Sequence, residues 1–97
     1  MPAYIIGQVT LHDSVEYGKY LSNFMPAFTP FSGRVIVASE DTEFIEGQWP
    51  CTRTVILEFP AKDHAKRWYD SEEYQKVAKH RFKAATANVV LANGFGE

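Results

Sequence analysis

Hydrophobic residues recur along this chain with two different periods, and the places where the period changes divide it into elements. Tyr4 to Leu11 carries aliphatic residues on both faces of an extended run, the pattern of an inner strand covered on both sides. His12-Asp13 ends it, and Asp13 followed by Glu16 reads as a capping-box-like helix start. Tyr17, Tyr20, Leu21, Phe24 and Phe28 then fall at helical spacing, which predicts an amphipathic helix with an aromatic face. Pro26 lies inside that pattern and predicts a kink or break, with Gly33 as the stop.

Arg34 to Ser39 reads as a second strand, and the acidic stretch through Glu46 and Gly47 as a hairpin connection. Arg53 to Phe59 is a third strand, with Arg53, Val55, Leu57 and Phe59 on one face and Thr54, Ile56 and Glu58 on the other. Pro60 closes it. Ala61, Ala65, Trp68 and Tyr69 make a short helical stripe opposite Lys62, Asp63, Lys66 and Arg67. Asp70 and Ser71 ahead of Glu72 and Glu73 form a second helix start, so two consecutive helices are predicted with a break between them. Tyr74, Val77, Ala78, Phe82 and Ala85 line the second of these, and Asn88 to Asn93 forms a last short strand. The Gly94-Phe95-Gly96-Glu97 end frays unless it docks.

The order β-α-β-β-α-β predicts an α+β, ferredoxin-like fold: a four-stranded antiparallel sheet with helices on one face. Valine, isoleucine and leucine occur on both faces of the strands, so the bare face needs a cover. The usual solution is a second copy packed sheet to sheet, and a homodimer is expected.

Length and composition narrow the picture without changing it. A chain of 97 residues predicts a single domain over 1–97, and 45% hydrophobic with 23% charged residues is ordinary globular composition. The net charge of −2 divides unevenly, because residues 1–60 hold three Lys/Arg against seven Asp/Glu and residues 61–97 hold seven against five. The basic residues between Lys62 and Lys83 are interleaved with acids, which marks a solvated helix face and argues against nucleic acid as a partner. One cysteine, Cys51, excludes an intramolecular disulfide framework and any multi-cysteine metal site. No apolar run reaches the length of a membrane span, and Met-Pro-Ala-Tyr lacks the basic region of a signal peptide. A cytoplasmic protein without a membrane partner is expected.

Local features then converge: Glu46-Gly47, Trp49-Pro50, Arg53, Glu58-Phe59-Pro60 and the run Trp68-Tyr69-Asp70-Ser71-Glu72-Glu73-Tyr74-Gln75, with Asp13, Tyr17, Tyr20 and Gly33-Arg34 before them. In this order and spacing the chain resembles, over nearly its whole length, the bacterial domain-of-unknown-function family numbered 1330. The resemblance implies a dimeric α+β barrel. Similar barrels include cofactor-free monooxygenases, lactone isomerases, haem-handling enzymes and proteins without known catalysis, so the fold does not choose a reaction.

Residue chemistry supplies candidates. Arg53 sits beside Val55, Leu57 and Phe59 and, if buried, requires a planar anion, either a protein carboxylate such as Glu46 or a ligand. Arg81 shares a helical face with Tyr74 and either binds an anion or lays its stem over the core. Tyr17, Tyr20, Trp49, Trp68, Tyr69 and Tyr74 form an aromatic set that suits either a pocket for a small planar ligand or a small core. His12, at a strand end before a helix, is the candidate acid or base, whereas His64 and His80 read as surface residues. Histidine spacing gives no metal motif, and the absence of glycine-rich phosphate loops and nucleophile elbows leaves no cofactor implied. The reading is a homodimer that binds a small organic acid or aromatic metabolite between helices and sheet. The ligand set is Tyr17, Tyr20, Trp49, Arg53, Trp68, Tyr74 and Arg81, with His12 and Arg53 as catalytic candidates. The alternatives are a non-catalytic structural dimer and a cofactor-free monooxygenase or isomerase.

Overall fold

The computed structural model describes residues 1–95. Strand β1 (Ala3–Leu11) is followed by helix α1 (Ser14–Phe28), a short 3-10 turn (Thr29–Phe31) and strand β2 (Arg34–Ser39). Strand β3 (Arg53–Phe59), helix α2 (Lys62–Asp70), helix α3 (Glu72–Ala84) and strand β4 (Ala85–Asn93) complete the order. The strands form one antiparallel sheet in the order β2-β3-β1-β4, which is the ferredoxin-like α+β arrangement.

Strand alternation decides what each sheet face presents. In β1 the odd residues Ala3, Ile5, Gly7 and Val9 turn toward the helices and are buried. Their cross-strand partners include Phe59, Leu57, Val55 and Arg53 on β3. Tyr17, Tyr20 and Phe28 of α1, Trp68 of α2 and Tyr74 of α3 close the core over this face. The opposite face carries Tyr4, Ile6 and Gln8 of β1 beside Glu58, Ile56 and Thr54 of β3, with Val37 and Val90 on the flanking strands. Among the described residues no helix covers that second face, and the β2–β3 connection reaches it at Trp49, whose indole Nε1 donates to Thr54 Oγ1 at 2.8 Å.

Both helix starts predicted from capping residues are present. Asp13 Oδ1 accepts from the Val15 and Glu16 N–H groups at 3.1 Å. Ser71 is extended between α2 and α3, accepts from the Tyr74 N–H at 3.1 Å and donates to the Trp68 carbonyl at 2.7 Å. This one serine therefore breaks the helices and brings Trp68 against Tyr74, whose ring centres lie 4.0 Å apart.

Other local expectations are corrected. Helix α1 runs through Pro26 to Phe28 without a break. The proline deletes only the hydrogen bond to the carbonyl of Ser22, an exposed residue, while burial of Ala27 and Phe28 holds the last turn. The chain reverses at Ser32, with φ 66°, and Gly33 has another duty. A Cβ on Gly33 would lie 2.5 Å from the Phe28 ring and 2.9 Å from the Phe59 ring, so glycine is needed for close approach. Strand β4 begins at Ala85, earlier than expected, because pairing with Val9–Leu11 of β1 overrides the helical preference of Ala85 and Ala87. On α3 the buried stripe is Tyr74, Ala78, Arg81 and Ala84, and Phe82 is exposed. At the end of the chain the Gly94 N–H donates to the Pro2 carbonyl at 2.7 Å, while Gly96 and Glu97 lie outside the described residues.

Candidate functional site

Between the helix-facing side of the sheet and the helices lies a cavity of about 240 Å³. Gly7 makes room for it, since a central strand position without a side chain leaves space between Val55 and Val89. Val9, Val55 and Leu57 form the sheet wall, and Phe24, Trp68 and Tyr69 form part of the helical wall. Leu21 and Met25 of α1 and Val35 of β2 also line it and are exposed, so the cavity opens to solvent between these elements.

The polar lining is unusual for so apolar a space. Thr52 fixes the start of β3, because its N–H donates to the Val9 carbonyl at 2.9 Å and its hydroxyl accepts from the Leu11 N–H at 3.0 Å. Arg53 follows and is thereby set on the helix-facing side, its guanidinium 5.8 Å from the centre of the Tyr17 ring. A carboxylate partner does exist: Arg53 Nη1 lies 3.5 Å from Glu40 Oε2, a long contact to a side chain that is 61% exposed. It is Glu40, and Glu46 takes no part. The inner nitrogen, Arg53 Nε, is buried and has no hydrogen-bond partner among the described residues.

Arg81 enters from α3 and is only 8% exposed. Its guanidinium stands 5.8 Å from the Tyr20 ring centre and 5.1 Å from that of Phe82, and among the described residues no carboxylate lies within ion-pair distance. The Tyr20 and Tyr74 hydroxyls meet at 2.7 Å in the buried interior. Burial pushes the Tyr20 hydroxyl far above the ordinary tyrosine value, and the Tyr74 hydroxyl adds to the rise. Burial also raises Tyr17, against the charges of Arg53 and Arg81, which both reach it. Tyr17 and Tyr20 are therefore neutral at physiological pH.

The structure gathers Tyr17, Tyr20, Arg53, Trp68, Tyr74 and Arg81 around one cavity. It leaves His12 and Trp49 elsewhere. His12 is exposed, with Nε2 2.7 Å from Thr86 Oγ1. Trp49 lies over Thr54, on the sheet face away from the helices. Alternation along β3 is the reason, since Arg53 and Thr54 point to opposite faces. The wall residues Val9, Val55 and Leu57 were not foreseen as lining, although a glycine inside a strand, Gly7, signals the space they border. Among the described residues, no group of three or more His, Cys, Asp and Glu side chains could hold a metal ion, and no helix is long and apolar enough to cross a membrane.

With this geometry in place, comparison of the sequence with family descriptions matches residues 2–95 to the Domain of unknown function (DUF1330). The chain belongs to that family. Among curated proteins none matches this DUF1330 chain. Solved structures give the fold. A protein of unknown function from Rhodopseudomonas palustris superposes with a TM-score of 0.81 at 16% identity, over 99% of this chain and 84% of that one. A dimeric ferredoxin-like protein of unknown function from Jannaschia sp. CCS1 gives 0.70 at 8% identity, over 97% and 100%. SnoaB, a cofactor-independent oxygenase from Streptomyces nogalater, gives 0.62 at 12% identity, over 99% and 95%.

Proposed function

We propose that this DUF1330 protein is a homodimer whose cavity binds a small organic acid. The observation that carries the reading is the pair of guanidinium groups at one apolar cavity without matching carboxylates. Arg81 has no ion-pair partner among the described residues, and Arg53 has only the long contact to Glu40. A cation held beside apolar surface favours an anion, and guanidinium favours a planar carboxylate. A space of about 240 Å³ exceeds the roughly 150 Å³ that holds benzene in an engineered protein cavity, so a single-ring acid fits. The dimer is supported by the uncovered sheet face with Ile6, Val37, Ile56 and Val90, and by the dimeric state of the Jannaschia protein.

Titration calorimetry with benzoate tests the cavity. Saturable binding that weakens roughly ten- to hundredfold in Arg53→Met is expected, and absence of binding by benzoate and by para-substituted benzoates at millimolar concentration refutes the reading.

The oxygenase or isomerase alternative draws support from the same guanidiniums, which would stabilise an enolate or phenolate formed from the substrate. The cavity lining contains no histidine or carboxylate to take the proton, and burial holds Tyr17 and Tyr20 neutral. Binding without built-in acid–base catalysis is therefore the favoured reading.

A further inference from the structure

The polar side chains lining the cavity are Arg53, Arg81, four tyrosines and Trp68, whose indole Nε1 is buried without a partner among the described residues, so its charged groups are all cations. They form two clusters. In one, Arg53 lies against Tyr17 with its Nε buried and without a partner among the described residues. In the other, Arg81 lies against Tyr20, whose hydroxyl meets that of Tyr74 at 2.7 Å. Tyr17 and Tyr20 are neighbours on one face of α1, with ring centres 5.3 Å apart, so the two clusters adjoin in one cavity.

Hydrogen-bond inventory shows what the second cluster lacks. Two hydroxyls carry two protons, and the bond between them uses one. The Arg81 guanidinium faces tyrosine hydroxyl oxygens only, and no carboxylate in the lining neutralises it. A buried cation without a carboxylate partner favours a ligand that supplies an acceptor oxygen there over one that ends in hydrocarbon. A ligand ending in an ammonium group meets a buried cation instead.

Resting on the cavity reading above, we propose that the site selects two-ended acids: planar carboxylic acids of single-ring size that carry a second acceptor oxygen, carbonyl or carboxylate, at the opposite end. The carboxylate engages Arg53 and the Tyr17 hydroxyl. The far oxygen accepts from Arg81 and the Tyr20–Tyr74 pair.

Calorimetric titration of the full chain with benzoate, terephthalate, para-acetylbenzoate and para-(aminomethyl)benzoate tests this. The two acids with a far acceptor should bind about tenfold or more tightly than benzoate, as expected for a hydrogen bond to a charged group, and the aminomethyl compound more weakly than benzoate. In Tyr20→Phe, which keeps the ring and its packing, and in Arg81→Gln, the ratio of terephthalate to benzoate affinity should fall toward one. Equal affinities for benzoate and both two-ended acids overturn the proposal while leaving the cavity reading standing, as does an unchanged ratio in Tyr20→Phe. Failure of all four compounds to bind overturns the cavity reading and the proposal with it.

Discussion

Replacing Arg53 with methionine separates a structural arginine from a binding one, because the structure assigns the two roles different magnitudes. The contact to Glu40 is 3.5 Å long and its carboxylate is 61% exposed, which places it with surface pairs worth ~0–1 kcal/mol. The guanidinium over the Tyr17 ring, at 5.8 Å, adds about 0.5–1 kcal/mol. Against these stands the buried Nε without a partner among the described residues, whose removal returns roughly 1–3 kcal/mol of desolvation cost. Methionine keeps much of the apolar stem and adapts to irregular space. The contributions nearly cancel, so Arg53→Met should change unfolding free energy by no more than about 1 kcal/mol, or ~4–8 °C in melting temperature for a chain of this size. Carboxylate binding should respond far more. Losing charge-assisted bonds worth ~1.5–3 kcal/mol weakens benzoate roughly ten- to hundredfold. Urea unfolding and benzoate titration on the same variant read both quantities. A stability loss of about 3–5 kcal/mol, as when a buried ion pair is broken, with ligand affinity unchanged after correction for folded fraction, would refute the reasoning.

Gly33→Ala should destabilise the fold by ~1–3 kcal/mol by urea denaturation, since a methyl group overlaps Phe28 and Phe59, both fully buried; equal or higher stability would contradict the close-approach argument. The Glu16 carboxylate, bonded to His80 at 2.6 Å, is held by that bond below the ordinary glutamate value of 4.5. Its stabilising contribution is therefore present above that value and lost as pH falls below it, so denaturation midpoints followed downward from pH 6 should drop less steeply in Glu16→Gln than in the parent. Sedimentation at micromolar concentration should give about twice 11.0 kDa, and Ile56→Lys, on the uncovered sheet face, should shift the protein to monomer. A parent protein that sediments as a monomer removes the dimer from the proposal.

Much of the fold was legible in the sequence because local chemistry and global topology agree there. Asp13 and Ser71 mark helix starts by capping chemistry that needs no distant partner. The alternation Arg53-Thr54-Val55-Ile56-Leu57 commits its residues to opposite faces wherever the strand is placed. Two local signals misled for the opposite reason. Pro26 sits where the one lost hydrogen bond belongs to an exposed residue, and Ala85-Thr86-Ala87 is drawn into the sheet by pairing with β1, neither of which local composition records. The same division runs through the site. Helical spacing put Tyr17 and Tyr20 on one face of α1 and Tyr74 and Arg81 on one face of α3, so each half of the cavity's polar lining was readable. Only tertiary structure brought those faces together with Arg53 and turned Trp49 and His12 away, because which side of a sheet a loop crosses is settled by packing and not by spacing. Whether Arg53 meets Glu46, Glu40 or a ligand was likewise decided in three dimensions. A charge finds its partner by distance and dielectric, and the β2–β3 connection brings Glu40, at the edge of solvent, to one nitrogen while Arg53 Nε stays buried without a partner among the described residues.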